Sequence, residues 1–197
     1  MGNQSYVVVI GETNILHCGF FHMIKEECQK NNFLPLFLKN ERELWKRSPA
    51  GSSDVYRLAI ICMGVDVFFP HWLSAFLTLL RKANGNVLIF TDQHDLLCKR
   101  KKGLLNRVHE LEHVLDVSMP ETYISFLVEY YLNRECSLDD RSKMSQRELA
   151  VIDGFLSGID VVCHSTWMGI TPKTLYQHRK NCANKLGVRN LKDLLRL

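Results

Sequence analysis

Seven cysteines in 197 residues (18, 28, 62, 98, 136, 163 and 182) form no Cys-x-x-Cys pair, and their number is odd. That pattern points to the usage expected in a reducing cytoplasm rather than to a disulfide framework. Long apolar runs are also missing. The stretches near Ala59–Val67 and Trp72–Leu80 are too short or too interrupted to span a bilayer, so no membrane partner is expected. Tyr6–Ile10 is too short and lacks a basic leader, so no signal peptide is expected either. There is no internal repeat and no low-complexity segment. Neither a Ser/His/Asp arrangement nor a phosphate-binding Gly-rich loop stands out, so the chain is not expected to be an enzyme or to need a cofactor.

Charge, by contrast, is present and unevenly placed. From Arg141 onward ten Lys/Arg face four Asp/Glu, whereas residues 1–140 carry fifteen against seventeen. A basic module on a near-neutral one is the balance of a protein that meets phosphate with one end only.

The basic end is organised around Thr171–Val188, TPKTLYQHRKNCANKLGV. Thr171 supplies a capping hydroxyl, Pro172 sits where a missing N–H costs nothing, and Gly187 supplies the left-handed residue that ends a helix. Leu175, Cys182 and Leu186 make one apolar seam; Lys173, Tyr176, Gln177, Lys180 and Asn184 fall on other faces. Lysine neutralises phosphate, and glutamine can pair with both edge atoms of adenine, so this face suits a DNA major groove. Upstream, Ser145 opens a helix with Leu149, Ile152, Phe155 and Leu156 as its stripe, ended by Gly158. A short helix over Asp160–Met168 and a tight turn at Met168–Thr171 complete the outline of a helix-turn-helix. Asn190–Leu197 can cover the core with Leu191, Leu194 and Leu195.

This pattern resembles the DNA-binding domain of LuxR/FixJ (NarL)-type transcriptional regulators. It is carried, without a gap, by Arg147, Glu148, Gly158, Gly169, Ile170, Thr171, Thr174, Leu175, His178, Lys185, Leu186, Gly187 and Val188. The chain departs from it at Val162, Cys163, His164 and Ser165, where Lys-Glu-Ile-Ala is usual, and at Trp167, where a polar residue is usual. The resemblance implies double-stranded promoter DNA as partner. It places Tyr176, Gln177 and Lys180 on bases and Lys173, Thr174 and Arg179 on phosphates, with His178 packing or bracing the backbone. It also implies a homodimer, or a heterodimer with a related regulator, and control of fimbrial or other surface-structure genes.

The first 135 residues alternate apolar runs with helical periods. Strands are expected at Tyr6–Ile10, Phe33–Leu38, Val55–Val65, Asn86–Phe90 and Val114–Ser118. Helices are expected at Asn14–Lys30, Asn40–Lys46, Phe69–Lys82, His94–His109 and Pro120–Asn133. Continuous apolar strands between helices predict a parallel, flavodoxin-like five-stranded sheet covered on both faces. The expected division is 1–135 for this unit, 136–143 as a polar linker and 144–197 for the helix-turn-helix. The layout resembles the receiver domain that commonly precedes such DNA-binding domains. A phosphorylatable receiver needs an acidic pair after the first strand, an Asp ending the third, a hydroxyl after the fourth and a Lys after the fifth. Here Glu12 and Thr91 fit, whereas Gly11, Cys62-Met63-Gly64 and Val117 do not, and Asp66 is a displaced acceptor at best. The expectation is a degenerate receiver and regulation without aspartyl phosphorylation.

Two further features compete. His109-Glu110-Leu111-Glu112-His113 matches His-Glu-x-x-His, in which two His one helical turn apart bind zinc and the Glu activates water. It would need a continuing helix and a third ligand such as Glu129, but a strand is expected directly after it. A zinc hydrolase, and a protein that sequesters another regulator, stand as the lesser alternatives. Lys99-Arg100-Lys101-Lys102 reads first as a solvated helix face; like charges there would weaken a dimer formed through it.

Overall fold

The computed structural model describes residues 5–11, 15–40, 43, 46, 56–64, 68–91, 98–135 and 142–197. The apolar runs form five strands: β1 Tyr6–Ile10, β2 Leu34–Leu38, β3 Tyr56–Met63, β4 Val87–Thr91 and β5 Val114–Asp116. They lie in the order β2-β1-β3-β4-β5, every pair parallel, with Val8 opposite Leu36 and Ala59, and Ile89 opposite Ile61 and Val114. Parallel strands need crossovers; α1 Ile15–Lys30, α2 Phe69–Lys82 and α3 Lys99–Val108 each connect two strands, and α4 Glu121–Asn133 follows β5. The expected helix over Asn40–Lys46 lies largely, and Glu12 and Asp66 wholly, outside the described residues.

Because successive strand side chains point to opposite faces, each strand feeds two cores. Val7, Val9, Leu58, Ile60, Leu88 and Phe90 pack with α1 and α4; Phe20 stacks on Phe90 at 3.9 Å between ring centres. Val8, Ile10, Ala59, Ile61 and Ile89 pack with α2 and α3. The flavodoxin-like doubly wound sheet expected from the sequence is therefore the one observed.

The second core does not stop at α2. FPHWLSAFLTLLRK buries everything from Phe69 to Leu80 except His71, as a helix apolar all round must. One side of α2 lies on the sheet and the other meets the helical C-terminal part. That part comprises α5 Gln146–Leu156, α6 Val161–Trp167, α7 Pro172–Leu186 and a 3₁₀ turn at Leu191–Arg196. Met144, Leu149, Val151, Ile152, Leu191 and Leu194 share the cluster with α2. Between α2 and α5 lies a buried polar group. Asp153 accepts from Ser74 Oγ at 2.6 Å and from Thr78 Oγ1 at 3.1 Å, with Arg81 Nη1 at 3.9 Å. Burial pushes the Asp153 carboxyl above the usual range, against the lowering effect of those hydroxyls and of Arg81.

Ser142 and Lys143, at the end of the expected linker, are held by the sheet unit. Ser142 bridges His109, and Lys143 N–H donates to the Val108 carbonyl at 3.0 Å. This is a correction for the zinc alternative. Helix α3 ends at Val108, His109 is extended and residues 110–113 are not helical, so His109 and His113 are not one helical turn apart. His109 is instead buried, while His113 and Glu112 both bond Tyr131 Oη. Among the described residues no cluster of three His, Cys, Asp or Glu is placed to hold a metal. Also among the described residues, no helix is long and apolar enough to cross a membrane.

Candidate nucleic-acid interface

The three C-terminal helices begin and end where their capping residues stand. Ser145 caps α5 in a reciprocal box: its hydroxyl accepts from Glu148 N–H, and the Glu148 carboxylate accepts from Ser145 N–H. Asp160 accepts from Val162 and Cys163 N–H at the head of α6, and Thr171 from Thr174 N–H at the head of α7. Gly169 (φ +65°) turns the chain between α6 and α7, and Gly187 (φ +66°) stops α7. Both need the left-handed region that a Cβ penalises. Ser145→Ala should therefore cost about 1 kcal/mol in chemical unfolding.

Glu148 also receives Lys185 Nζ at 2.8 Å, which staples α7 back onto α5. Burial alone would raise the Glu148 carboxyl; the bonds from Lys185 and Ser145 outweigh it and hold the pKa below its ordinary value. Lys185 is thus engaged within the chain although its side chain is exposed. Leu175, Cys182 and Leu186 are buried, as their seam predicts, together with Ala183.

The opposite face of α7 is bare. Lys173, Thr174, Tyr176, Gln177, Lys180, Asn181 and Asn184 are all exposed, Tyr176 by 58%. The sheet unit touches α7 at its far end, where the Arg107 guanidinium of α3 lies over Gly187, and leaves this face open. Of the six residues expected to meet DNA, five share the open face. The sixth, Arg179, is half-buried with its guanidinium 5.2 Å above the Phe155 ring. His178 is half-buried, in keeping with a packing role.

One relation escaped the sequence reading. Gln177 Nε2 donates to Asn181 Oδ1 at 3.0 Å, one helical turn on. That bond leaves Gln177 Oε1 and the second N–H of the exposed side chain unspent, one acceptor and one donor on a single amide. The i, i+4 spacing of two amides on an exposed face was the available signal. The scaffold helix α6 buries His164 and Ser165 and exposes Val162 and Trp167 by about three-fifths each.

No family model matches the chain, and no curated protein matches it. Solved structures do match along its length. Full-length FixJ from B. japonicum is 13% identical with a TM-score of 0.46, covering 99% of this chain and 96% of that one. A structure of two RcsB dimers bound to two parallel DNAs is 14% identical with a TM-score of 0.43, covering 98% of each. RcsB from Salmonella enterica serovar Typhimurium, bound to promoter rprA in the presence of phosphomimetic BeF3-, is 15% identical with a TM-score of 0.41. That match covers 99% of this chain and 100% of that one.

Proposed function

We propose that the chain is a sequence-specific regulator of transcription that places α7 in the major groove of promoter DNA. The observation that carries this reading is the open face of α7: two lysines, a tyrosine and an oriented glutamine amide on a capped helix. The helix-turn-helix behind it keeps the sheet unit off that face. Tyr176, Gln177 and Lys180 read bases, and Lys173 and Thr174 meet phosphates. Arg179 joins the phosphate contacts if it swings off Phe155. The working division is 1–135 for the sheet unit, 136–143 for the connection and 144–197 for DNA binding, in a cytoplasmic regulator that dimerises with itself or with a related regulator. The sequence resemblance extends the reading to genes for fimbriae and other surface structures.

Regulation without aspartyl phosphorylation is part of the proposal. At the end of β1, where an acidic ligand would be needed, a Cβ on Gly11 would lie 2.6 Å from Cys62 Cβ, so a carboxylate side chain does not fit. The carbonyl of Cys62, near the end of β3, accepts the indole N–H of the buried Trp72 at 3.0 Å. Val117 is exposed just beyond β5, where the charge-neutralising lysine would lie.

Fluorescence anisotropy on a labelled 25-bp duplex of mixed sequence tests both parts. The account predicts binding whose logarithm falls linearly with log salt, with a slope near −0.9 per phosphate neutralised. Acetyl phosphate with Mg²⁺ should leave that binding unchanged. Salt-independent binding, or none, removes the DNA-binding reading and favours a protein that sequesters another regulator. Stoichiometric acyl-phosphate incorporation removes the phosphorylation claim alone.

A further inference from the structure

His164 is fully buried at the centre of the helix-turn-helix; neither ring nitrogen meets a partner at full hydrogen-bonding geometry, although the Ala150 carbonyl lies close enough to act on the ring. The ring fills a socket on α5 that exists because residue 154 is glycine. A Cβ there would collide with Cε1 and lie 2.6 Å from Nε2 and 2.9 Å from Nδ1. The same ring sits 6.1 Å from Trp167, centre to centre. Histidine is the side chain whose charge ordinarily changes between pH 5 and 8, and this one has been put where leucine-like packing is needed.

The charged groups acting on the ring come from two elements. Arg179 of α7, itself stacked on Phe155, opposes a second cation; Asp160 at the head of α6 attracts Arg179, and its oxygen is already taken by Val162 and Cys163 N–H. From α5, the Ala150 carbonyl favours the charged ring. Asp153, next to Gly154, is spent on Ser74, Thr78 and Arg81.

We propose that His164 makes DNA binding by this chain acid-sensitive: a proton on the buried ring loosens α6 and α7 from α5 and releases the DNA. The consequence rests on the DNA-binding reading; the cause rests on packing. Burial first, and Arg179 second, hold the ring's pKa below its ordinary 6.5, outweighing Ala150. A base depressed in the folded state gives its full stability above pH 6.5. That stability is lost as pH falls from there toward the folded value, by at most about tenfold in the folding equilibrium per pH unit. Asp153 works in the opposite sense, because its raised carboxyl is relieved by acid.

The test uses the full-length chain and His164→Leu, which keeps apolar bulk and cannot titrate, with His164→Ala as a second variant. Urea unfolding and affinity for the mixed 25-bp duplex are measured at pH 7.5 and 5.5 at fixed salt. The His164 ring protons are followed by NMR across the same range. Expected are a folding equilibrium that weakens up to about tenfold more in the parent chain than in the variants, an affinity that falls more with acid in the parent chain than in the variants, and a ring titration below 6.5. Equal pH dependence in parent and variants, or a ring titrating at or above 6.5, overturns the proposal. Should both variants fail to fold, the titration in the parent decides. Absence of DNA binding at pH 7.5 would remove the functional reading, while the unfolding and titration arms still judge His164.

Discussion

Replacing Ser74 with Ala and Thr78 with Val in one chain should cost about 3–5 kcal/mol of stability at neutral pH, the penalty of a buried charge stripped of its partners. The Asp153 carboxylate would keep its burial between α2 and α5 and lose both hydroxyl donors, at 2.6 and 3.1 Å. Arg81, at 3.9 Å and about one-third exposed, is too distant and too solvated to replace them. The pH dependence has a definite sign. Burial already raises the Asp153 carboxyl, so its charged form costs stability above the folded pKa and acid relieves that cost. Without the hydroxyls the folded pKa rises further. The gap between variant and parent should therefore narrow as pH falls from 7.5 to 5 in urea unfolding followed by circular dichroism. A gap below about 1 kcal/mol at pH 7.5, the size of an ordinary surface change, would mean that α2 and α5 are not packed as described.

Gly154→Ala should destabilise by about 1–3 kcal/mol or more, because the new methyl has to displace a buried imidazole ring. The same exchange at Gly103, inside α3 with nothing within 4 Å of the added carbon, should instead stabilise by about 0.5–1 kcal/mol. The two substitutions are chemically identical and differ only in what the methyl meets. Adding His164→Ala to Gly154→Ala should recover part of the loss, and such non-additivity marks direct contact. Thermal unfolding of the four variants measures all of this. A stabilising Gly154→Ala would remove the socket from the account.

Local chemistry was readable from the sequence where a residue acts on its own neighbours. Ser145, Asp160, Thr171 and Gly187 mark helix ends through bonds to atoms within a few positions, and each stands at the cap that it forms. The five strands were readable because parallel strands buried on both faces are continuous apolar runs. The helix α2 is rich in apolar residues, and it is the structure that shows it covered on two sides. What covers its second side was not readable, because Ser74 and Asp153 lie 79 positions apart and neither carries a periodic signal.

At His109–His113 the motif was legible and the helix was not. The chain leaves α3 at Val108 to enter β5, and sheet pairing took precedence over the local pattern. The exposure of five of the six residues expected to contact DNA could be read because periodicity alone separates the outer face of α7 from its seam. Arg179 could not, since its placement depends on Phe155 from another helix. His164 stands at a core position of the resembled pattern, and only the packing shows that the ring is enclosed.

The central claim, that α7 reads bases with one set of side chains and holds phosphates with another, is tested most directly by selecting a random duplex library with three full-length proteins. These are the parent, Gln177→Ala and Lys173→Ala, each followed by affinity measurements across a range of salt. The account predicts that Gln177→Ala loses preference for adenine at one position, worth about 1–3 kcal/mol, with its salt slope unchanged. Lys173→Ala should keep the selected sequence, bind all DNA more weakly and flatten the slope by about one unit. If Gln177→Ala instead weakens selected and random DNA equally, the open face of α7 is not the one that reads the groove.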